Sequence, residues 1–315
     1  MTAKDKKISV IVPTHNRKEI LKKTLFSLLN QSLRPEDYQV VVIDDGSTDG
    51  TGETVLQNFK QNLEPSICCL RQTNRGPGAA RNLGIANAAG DILLFINDDT
   101  IPDSHLLEFH LDQHRIYPGE EFAVLGQVIW SDKSSVTPLM RWLDHGGPLF
   151  SFYKLKGKHE VEWNFFVTSN ISMKKAFVSR NGPFDEDFME AHDDTEFGWR
   201  AKGNGMRLIY CEDALAFHLH PQTFDKLIMK MVLIGKMSSL LLHKYPELMG
   251  HFRKSLRQRW FFKLPIEVFG IAFWRKICEK LENRLIIHRL FVEVLRYYYL
   301  QGYAKSEHKN SDAYP

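Results

Sequence analysis

Short apolar segments alternate with helix-type patterns through the first hundred residues, and this alternation constrains the fold more than any other feature of the chain. The apolar segments have the length of buried strands and lie at Ile8–Val12, Gln39–Ile43, Ile67–Leu70 and Asp91–Ile96. A stretch of small residues at helical spacing, Ala79–Ala89, separates the last two. Strands that alternate with helices through short connections imply right-handed crossovers and a parallel sheet. The sequence therefore predicts an α/β fold with a mostly parallel central sheet, in which ligands bind at the carboxyl ends of the strands.

The pattern changes near residue 221, which divides the 315-residue chain into two parts. Before that point, further strand patterns lie at Val124–Trp130, Arg207–Tyr210 and Ala214–Phe217, and a helix pattern covers Asp193–Lys202. After Pro221 the chain consists of long helical patterns that are rich in basic and aromatic residues. We therefore predict an α/β domain over residues 1–221 and a basic helical region over 222–315.

The composition excludes several classes of protein. With 43% hydrophobic and 25% charged residues, the chain can bury a full core, which excludes general disorder. The net charge of +3 is too small to indicate a nucleic-acid partner. The charge is nevertheless uneven, because residues 1–221 carry 24 basic and 30 acidic residues whereas residues 222–315 carry 17 and 8.

Cysteine usage and hydropathy bear on the compartment. The four cysteines have neither metal-type nor disulfide-type spacing, which favours a reducing compartment. The N-terminus is polar and shows no signal-peptide pattern, and no charge-free apolar run reaches the roughly 18 residues of a membrane span. We expect a cytoplasmic protein, with attachment to the inner face of the membrane left open.

The second predicted strand ends in a cluster of carboxylates, where the chain reads Asp44-Asp45-Gly46-Ser47. Two carboxylates at the carboxyl end of a strand suit hydrogen bonds to a nucleoside base or a ribose, and Gly46 allows a sharp turn. The alternative interpretation is an acidic turn that caps the following helix.

The fourth predicted strand ends in the same way, at Asn97-Asp98-Asp99. Clustered carboxylates repel one another unless a cation neutralises them, and Mg²⁺ or Mn²⁺ prefers such oxygen ligands and bridges them to phosphates. An isolated copy of the motif is equally well explained by a solvated acidic turn. Two acidic tips on neighbouring parallel strands favour a binding site.

A series of motifs in a fixed order points to one enzyme family. They are Val-Ile-Val-Pro-Thr-His-Asn-Arg at 10–17, Asp-Asp-Gly-Ser-Thr-Asp at 44–49, Asn74-x-Gly76 with Ala80-Arg81-Asn82-x-Gly84, Asn97-Asp98-Asp99, Thr168-Ser169-Asn170, Gly-Pro-Phe-Asp-Glu at 182–186, His-Asp-Asp-Thr-Glu-Phe-Gly-Trp-Arg at 192–200, and His218. Together they cover residues 6–221 and resemble a family-2 glycosyltransferase with the GT-A fold.

The resemblance implies an inverting enzyme that transfers a sugar from a nucleoside-diphosphate sugar, with a UDP-sugar favoured, to a hydroxyl group. Glycans and lipid-linked glycans are the implied acceptors, as in polysaccharide or cell-envelope synthesis. Mn²⁺ or Mg²⁺ is the implied cofactor. The runner-up interpretation is a non-catalytic relative that binds nucleotide sugars or serves as a scaffold.

The resemblance also assigns residues to the donor and its metal. The residues implied in nucleotide-sugar binding are Thr14, Asp44, Asp45, Arg81, Asn97 and Asp98. Asp99 and His218 are the implied metal ligands, although a lone histidine is more often structural. Asn97 stands where the family usually carries the first aspartate of an Asp-x-Asp motif. An amide can bond a ribose hydroxyl but brings one less negative charge, which bears on how strongly a metal is held.

Asp194 matches the position of the general base in the family. Such a base deprotonates the acceptor hydroxyl, and the neighbouring charge of Asp193 would raise its pKa. Carboxylates at a helix N-terminus are also explained by the helix dipole alone. Asn170, Asp193 and Trp199 are the implied acceptor or sugar contacts, with core packing as the alternative for Trp199.

A nicotinamide-dependent dehydrogenase is excluded by the first strand. The glycine fingerprint of such enzymes follows that strand, and here the chain reads Pro13-Thr-His-Asn-Arg without a glycine. The glycines of the Gly76-Pro77-Gly78 segment do not lie at the turn after the first strand, where a dinucleotide pyrophosphate would bind.

The basic helical region leaves two interpretations open. Over residues 222–303, lysines and arginines alternate with aliphatic and aromatic residues, as in Lys226, Leu227 and Lys230. Such a pattern suits a helix in a membrane interface near anionic headgroups. It equally suits helices that pack on the α/β domain or on a second copy of the chain.

Overall fold

The computed structural model describes residues 6–59, 65–131, 136–145, 152–219, 222–256, 273, 276 and 285–310 of the chain. These residues form two compact units. The first lies within residues 1–133, 154–189 and 193–220, and the second within 134–153, 190–192 and 221–315. The boundary that we predicted near residue 221 remains a proposal about where independent domains meet.

The first unit is built on one mixed sheet. In the described residues its strands are β1 (Ile8–Thr14), β2 (Tyr38–Asp45), β3 (Ser66–Gln72), β4 (Ile92–Ile96), β5 (Thr100–Pro102), β6 (Phe122–Trp130), β7 (Glu160–Val161), β8 (Asn170–Lys174) and β9 (Arg207–His218). Its helices are α1 (Lys18–Leu29), α2 (Thr51–Asn58), α3 (Gly76–Ala86), α4 (Leu106–Ile116), α6 (Lys175–Asn181) and α7 (Asp193–Gly203). The second unit contains α5 (Pro138–His145), α8 (Phe224–Lys244), α9 (Met249–Leu256) and α10 (Leu285–Asn310).

The order of the strands reverses at the β1–β4 pair, and such a reversal forms a crevice outside the carboxyl ends of the strands. The sheet runs β3-β2-β1-β4-β8-β6-β9-β5, and β7 pairs with β9 off this path. The chain builds outward from β1 to β3, and then returns through α3 to place β4 on the other side of β1. Ligands of open α/β sheets bind at such a reversal, outside the carboxyl ends of the strands.

The predicted parallel arrangement holds for the first four strands and changes beyond them. β1 pairs in parallel with β2 and β4, and β2 with β3. β8, in contrast, runs antiparallel between β4 and β6. The two strand patterns that we predicted at 207–210 and 214–217 form a single β9, with a register shift opposite Gly126 and Gln127. The irregularity gives this strand two separate apolar patterns in the sequence.

Burial on both faces explains why the first strands read as continuous apolar runs. Every residue of β2 is buried, and in β1 only Pro13 is partly exposed. The α3 helix lies close against this layer, since a Cβ atom at Gly84 would come within 2.6 Å of Ile11 and 2.8 Å of Ile43. The sheet therefore presents its chemistry at the strand ends.

The second unit is held together by a close helix pair, α8 and α10. A Cβ atom at Gly235 would overlap the carbonyl oxygen of Tyr299, and one at Gly302 would overlap that of Val232. Small residues thus allow the two backbones to touch. None of the helices in the described part of the chain is both long enough and apolar enough to span a membrane.

Candidate active site

Thr14 and Asp98 meet at the carboxyl ends of β1 and β4. Thr14 is the last residue of β1, and its hydroxyl Oγ1 donates a hydrogen bond of 2.8 Å to Asp98 Oδ2. Asp98 lies in the turn after β4, where the backbone N–H of Thr100 donates to the carbonyl of half-buried Asn97. The hydroxyl of Thr24 on α1 supports the same turn by donating to the carbonyl of Asp98 at 2.7 Å. The structure thus brings two predicted donor-binding residues into contact.

Arg17 joins Asp98 to Asp99. Its Nη1 atom lies 2.9 Å from Asp98 Oδ1 and 2.6 Å from Asp99 Oδ2. Both carboxylates are buried. Burial raises the pKa of Asp98 to about 6, while the charge of Arg17 and the hydrogen bond from Thr14 act in the opposite direction. A single guanidinium therefore lies between two neighbouring carboxylates and neutralises them in part.

His218 faces Asp99 from β9. The antiparallel pairing of β5 with β9 places Thr100 opposite His218, and the backbone N–H of Leu219 donates to the carbonyl of Asp99. As a result, His218 Nε2 lies 3.6 Å from Asp99 Oδ1. The Trp130 ring packs edge-to-face with the imidazole, with the ring centroids 5.0 Å apart. The two predicted metal ligands are therefore neighbours.

Asp44 ends β2 beside the crevice. It is opposite Thr14 in the β1–β2 register, and its Oδ1 accepts a hydrogen bond of 2.8 Å from the N–H of Ser47. Its Oδ2 is buried, accepts no hydrogen bond from the described residues, and lies 3.8 Å from Arg71 Nη1. An acceptor atom of this kind is expected to find a donor when a ligand binds.

Asp45 holds the start of α3. Its carboxylate accepts hydrogen bonds of 2.9 Å from the N–H groups of Arg75 and Gly76, and one of 2.8 Å from Gln72 Nε2. The following Gly46 adopts a φ of +77°, and a Cβ there would come within 2.8 Å of the Asn74 backbone nitrogen. The carboxylate of Asp45 is thus engaged within the protein at the start of α3, and not at α2, the helix that follows the motif in sequence.

Arg81 and Asp193 form a buried ion pair. Arg81 projects from α3 and its Nη1 donates to Asp193 Oδ2 at the start of α7. Their side chains are only 6% and 9% exposed. Burial raises the pKa of Asp193, and the charge of Arg81 counteracts this. The structure thus directs Arg81, a predicted donor-binding residue, toward a carboxylate of the protein.

Asp194 is the more accessible of the two acidic residues that begin α7. It is half-buried, and its Oδ1 accepts a hydrogen bond of 2.7 Å from the N–H of Thr195. The same turn carries Glu196, whose carboxylate is held by Arg200 through bonds of 2.6 and 2.9 Å. Of the acidic residues in the first turn of α7, Asp193 and Glu196 are thus buried and Asp194 is accessible.

Trp199 is half-buried and packs against its neighbours. Its ring packs edge-to-face on Trp163 at a centroid distance of 5.1 Å, and Lys202 Nζ lies 5.1 Å from the centroid of the same ring. This environment corresponds to the packing alternative that we gave for Trp199.

Asn170 lies inside the protein at the start of β8. Its Nδ2 donates to the carbonyls of Gln127 and Ala214, at 3.1 and 2.8 Å, and its Oδ1 is 2.9 Å from His110 Nε2. Burial lowers the pKa of His110 to about 4, so the imidazole is neutral at pH 7. The side chain of Asn170 is fully buried and links β8 to β6 and β9.

Arg17 is the site residue that sequence reasoning missed. The signal was its place at the end of the Val-Ile-Val-Pro-Thr-His-Asn-Arg motif, three residues after Thr14. Asn16 adopts a φ of +52°, and the N–H of Leu21 donates to the carbonyl of Arg17. The chain therefore turns sharply into α1, and this turn places the guanidinium over the tip of β4.

The residues at the tip of β4 fit a divalent cation in part. No group of three His, Cys, Asp or Glu side chains comes together as a metal site in the described ranges. Asp99 and His218 nevertheless supply one oxygen and one nitrogen ligand side by side. A guanidinium already occupies the space that Asp98 and Asp99 share, which shows that a positive charge is accommodated there. One or two carboxylates completed by substrate phosphates are a usual arrangement for Mg²⁺.

Comparison with known proteins identifies the family. The sequence model described as glycosyl transferase family 2 matches residues 9–175, which is more than half of the chain and includes the tips of β1, β2 and β4. The chain belongs to glycosyl transferase family 2. Its similarity to individual members of this family is moderate. It is 30% identical over 265 residues to the uncharacterized glycosyltransferase YfnE of Bacillus subtilis (strain 168), a match that covers 68% of this chain.

The chain spans 65% of the length of YfnE, which is less than two thirds of that family member. Solved structures agree on the GT-A type of fold. The mannosyltransferase PcManGT of Pyrobaculum calidifontis, in complex with GDP-Man and Mn²⁺, has a TM-score of 0.58 at 18% identity and covers 98% of this chain and 76% of its own. S. aureus TarS in complex with UDP has a TM-score of 0.56 at 19% identity and covers 98% and 92%.

Proposed function

We propose that the protein is an inverting glycosyltransferase. It moves a sugar from a nucleoside-diphosphate sugar, with a UDP-sugar favoured, to a hydroxyl of a glycan or lipid-linked acceptor in polysaccharide or cell-envelope synthesis. The observation that carries the proposal is the continuous line of contacts from Thr14 through Asp98, Arg17 and Asp99 to His218. It lies at the reversal of strand order, where a family-2 enzyme would hold its donor.

The donor would lie across the tips of β1, β2 and β4. Asp44 Oδ2 is available to accept a hydrogen bond from the nucleoside, and half-buried Asn97 offers an amide to a ribose hydroxyl. We assign Thr14 and Asp98 to fixing the tips of β1 and β4 relative to each other, since they bond to one another. The nucleotides bound to the two structural neighbours, UDP and GDP-Man, support a nucleoside-diphosphate donor.

Asp99 and His218 would hold Mn²⁺ or Mg²⁺, with the remaining ligands from the diphosphate. When bound, such a cation stabilises the negative charge of the departing nucleoside diphosphate. The Mn²⁺ in the PcManGT complex supports a divalent cation as the cofactor. Because Asn97 replaces one carboxylate, the cation would depend more strongly on the diphosphate for its binding.

Asp194 would be the general base. Asp193 and Glu196 are buried, whereas Asp194 is half-buried and can be reached from solvent. In a single displacement, the acceptor oxygen forms a bond to the anomeric carbon while the bond to the diphosphate oxygen breaks. The hydroxyl proton passes to Asp194, and the diphosphate leaves with the electron pair of the broken bond.

The basic surface of the second unit suggests that the protein meets its acceptor at a membrane. In α8, Leu227, Ile228 and Met231 are buried, while Lys226 and Lys230 are exposed. A basic helix face of this kind is attracted to anionic lipid headgroups. We therefore propose a peripheral position at the cytoplasmic face of a membrane, where lipid-linked acceptors are found. The free thiols of Cys68, Cys69 and Cys211 are consistent with a reducing compartment.

The decisive experiment is nucleotide release by wild-type protein and by Asp194→Asn. With Mn²⁺, donor and acceptor, we expect the substitution to lower turnover by about 10²–10⁴-fold, because positioned base catalysis is typically of that size. Donor affinity, measured by calorimetry, should remain within about threefold of wild type, as Asp194 is not assigned to the donor.

Asp187→Asn is the matched control, because Asp187 is an exposed carboxylate in the segment before α7. Its turnover should equal that of wild type. Turnover of Asp194→Asn within a factor of about three of wild type would remove Asp194 from the role of base. A wild-type protein that binds donor and never releases nucleotide would support the non-catalytic alternative instead.

A further inference from the structure

Arg17 holds Asp98 and Asp99 in an unusual way. A guanidinium usually pairs with carboxylates through two parallel hydrogen bonds. Here a single nitrogen, Nη1, lies within 2.9 Å of Asp98 Oδ1 and 2.6 Å of Asp99 Oδ2. Arg17 thus acts on the acidic pair as one positive charge between two oxygens, which is also how a metal ion would act on it.

The three side chains differ in how firmly they are held. Those of Asp98 and Asp99 are each 7% exposed, and Thr14 fixes Asp98 in place. The side chain of Arg17 is 38% exposed. Its backbone is anchored separately, because the N–H of the preceding Asn16 donates to Ser47 Oγ at 2.9 Å. The guanidinium can therefore leave the carboxylates for solvent without any change in the backbone.

We propose that Arg17 is a displaceable counter-ion of the acidic pair, which occupies it in the absence of a divalent cation and competes with that cation for it. The physical reason is charge balance. One guanidinium neutralises the charge of two carboxylates only in part. A divalent ion bound at Asp99 would repel the guanidinium of Arg17. Removing Arg17 would take this positive charge away from the two carboxylates, and a divalent cation would then bind them without competition from the guanidinium.

Displacement also gives Arg17 a second partner. Once released, its planar group of N–H donors is suited to phosphate oxygens, which the donor diphosphate would supply. Nucleotide and metal should then strengthen the binding of each other, because the nucleotide removes the competitor. This part rests on the proposed function, whereas the competition itself concerns only the metal and the protein.

The experiment measures Mn²⁺ binding without nucleotide, by electron paramagnetic resonance of free Mn²⁺ and by calorimetry. Arg17→Met removes the charge and keeps much of the side-chain length. We expect Arg17→Met to bind Mn²⁺ about tenfold more tightly than wild type, a value within the usual range of coupling between two ligands. Arg17→Lys, which keeps a positive charge, should stay within about threefold of wild type.

Arg34→Met is the matched control. Arg34 forms hydrogen bonds of 3.0 and 3.1 Å with Asp37, which is also buried, and its loss changes the net charge by the same amount. Its Mn²⁺ affinity should equal that of wild type. Thermal unfolding with Mn²⁺ and with chelator gives a second readout, in which Mn²⁺ should raise the Tm of Arg17→Met more than that of wild type.

Mn²⁺ affinity of folded Arg17→Met that is equal to or weaker than wild type would overturn the proposal. A lack of Mn²⁺ binding in both proteins at millimolar concentration would overturn it as well. Neither result decides the proposed transfer reaction, which is tested separately by nucleotide release from the wild-type protein. A wild type that binds Mn²⁺ but releases no nucleotide would instead contradict the transferase proposal alone.

Discussion

Two arginines neutralise carboxylates at the strand and helix ends, and their exposure separates their roles. Arg17 is 38% exposed at the side chain, whereas Arg81 is 6% exposed and has Asp193 as a buried partner. The guanidinium of Arg81 also lies over the ring of Phe184, 5.6 Å from its centroid. We infer that Arg81 positions the start of α7, and with it Asp194, by holding the residue next to it.

The Arg81 pair leads to a prediction at the scale of single residues. Arg81→Met should lower the free energy of unfolding at pH 7 by about 3–5 kcal/mol, because it leaves Asp193 as a buried charge without its partner. The double variant Arg81→Met/Asp193→Asn should recover most of this loss, since the unbalanced charge is gone. Urea denaturation of the two single variants, the double variant and the wild type measures the coupling.

The pH dependence of the Arg81→Met deficit checks the same cause. Burial raises the pKa of Asp193 above its unfolded value, and loss of Arg81 raises it further. The folded state then takes up a proton as the pH falls from 7 toward 5, so the deficit should shrink in that interval. A deficit that stays constant from pH 7 to pH 5 would show that lost packing, not charge, is responsible.

At the scale of elements, the strand tips both carry the chemistry and organise the helices that follow. Asp45 at the end of β2 accepts the first N–H groups of α3, and Asp44 turns toward the loop before α2. The adjacent carboxylates of one motif therefore serve different purposes. The division follows from strand geometry, since neighbouring residues in a strand point to opposite faces.

The α8–α10 pair leads to a prediction at the scale of elements. Gly235→Ala should lower the Tm measurably, at a cost of about 1–3 kcal/mol or more, because the new methyl group overlaps the carbonyl oxygen of Tyr299. Gly250→Ala on α9 is the matched control, since no atom of the described residues beyond its own helical turn lies within 4 Å of its added Cβ. That control should be neutral or stabilising by up to about 1 kcal/mol. Equal Tm changes in the two variants would contradict backbone contact between α8 and α10.

At the scale of the whole molecule, the basic charge of residues 222–315 bears on whether the protein binds a membrane. Much of the apolar surface that we had considered for a membrane contact is used for packing inside the second unit, as shown by buried Leu227, Ile228 and Met231. Met229 and Leu233 remain exposed, at 66% and 37%, beside Lys226. Any membrane binding should therefore be mainly electrostatic.

We expect the protein to co-sediment with vesicles that contain anionic lipid at low salt, and to be released at physiological salt. Lys226→Glu/Lys230→Glu should lower this binding by about tenfold or more, given about 1 kcal/mol per basic residue near the surface. Lys156→Glu/Lys158→Glu, with the same charge change on exposed lysines of the first unit, should have little effect. Equal pelleting with neutral and anionic vesicles would leave α8 as a packing or oligomerisation element.

Much of the fold and part of the site could be predicted from the sequence, for reasons that are local. Apolar runs mark β1, β2 and β4 because these strands are buried on both faces, and acidic residues lie where β2 and β4 end. The order of the motifs identified the family, which the comparison confirmed. Thr14, Asp98, Asp99 and His218 were named from these patterns, and the structure brings them together.

What only the tertiary structure decided is which partner each polar side chain finds. Arg17 reaches Asp98 across 81 residues of sequence, and Arg81 reaches Asp193 across 112. Asn170 faces the interior because two carbonyls on β6 and β9 require its amide. No local pattern encodes such pairs, because burial and charge balance depend on residues that are close only after the sheet has formed. The same holds for the antiparallel β8, whose direction is set by its neighbours in the sheet.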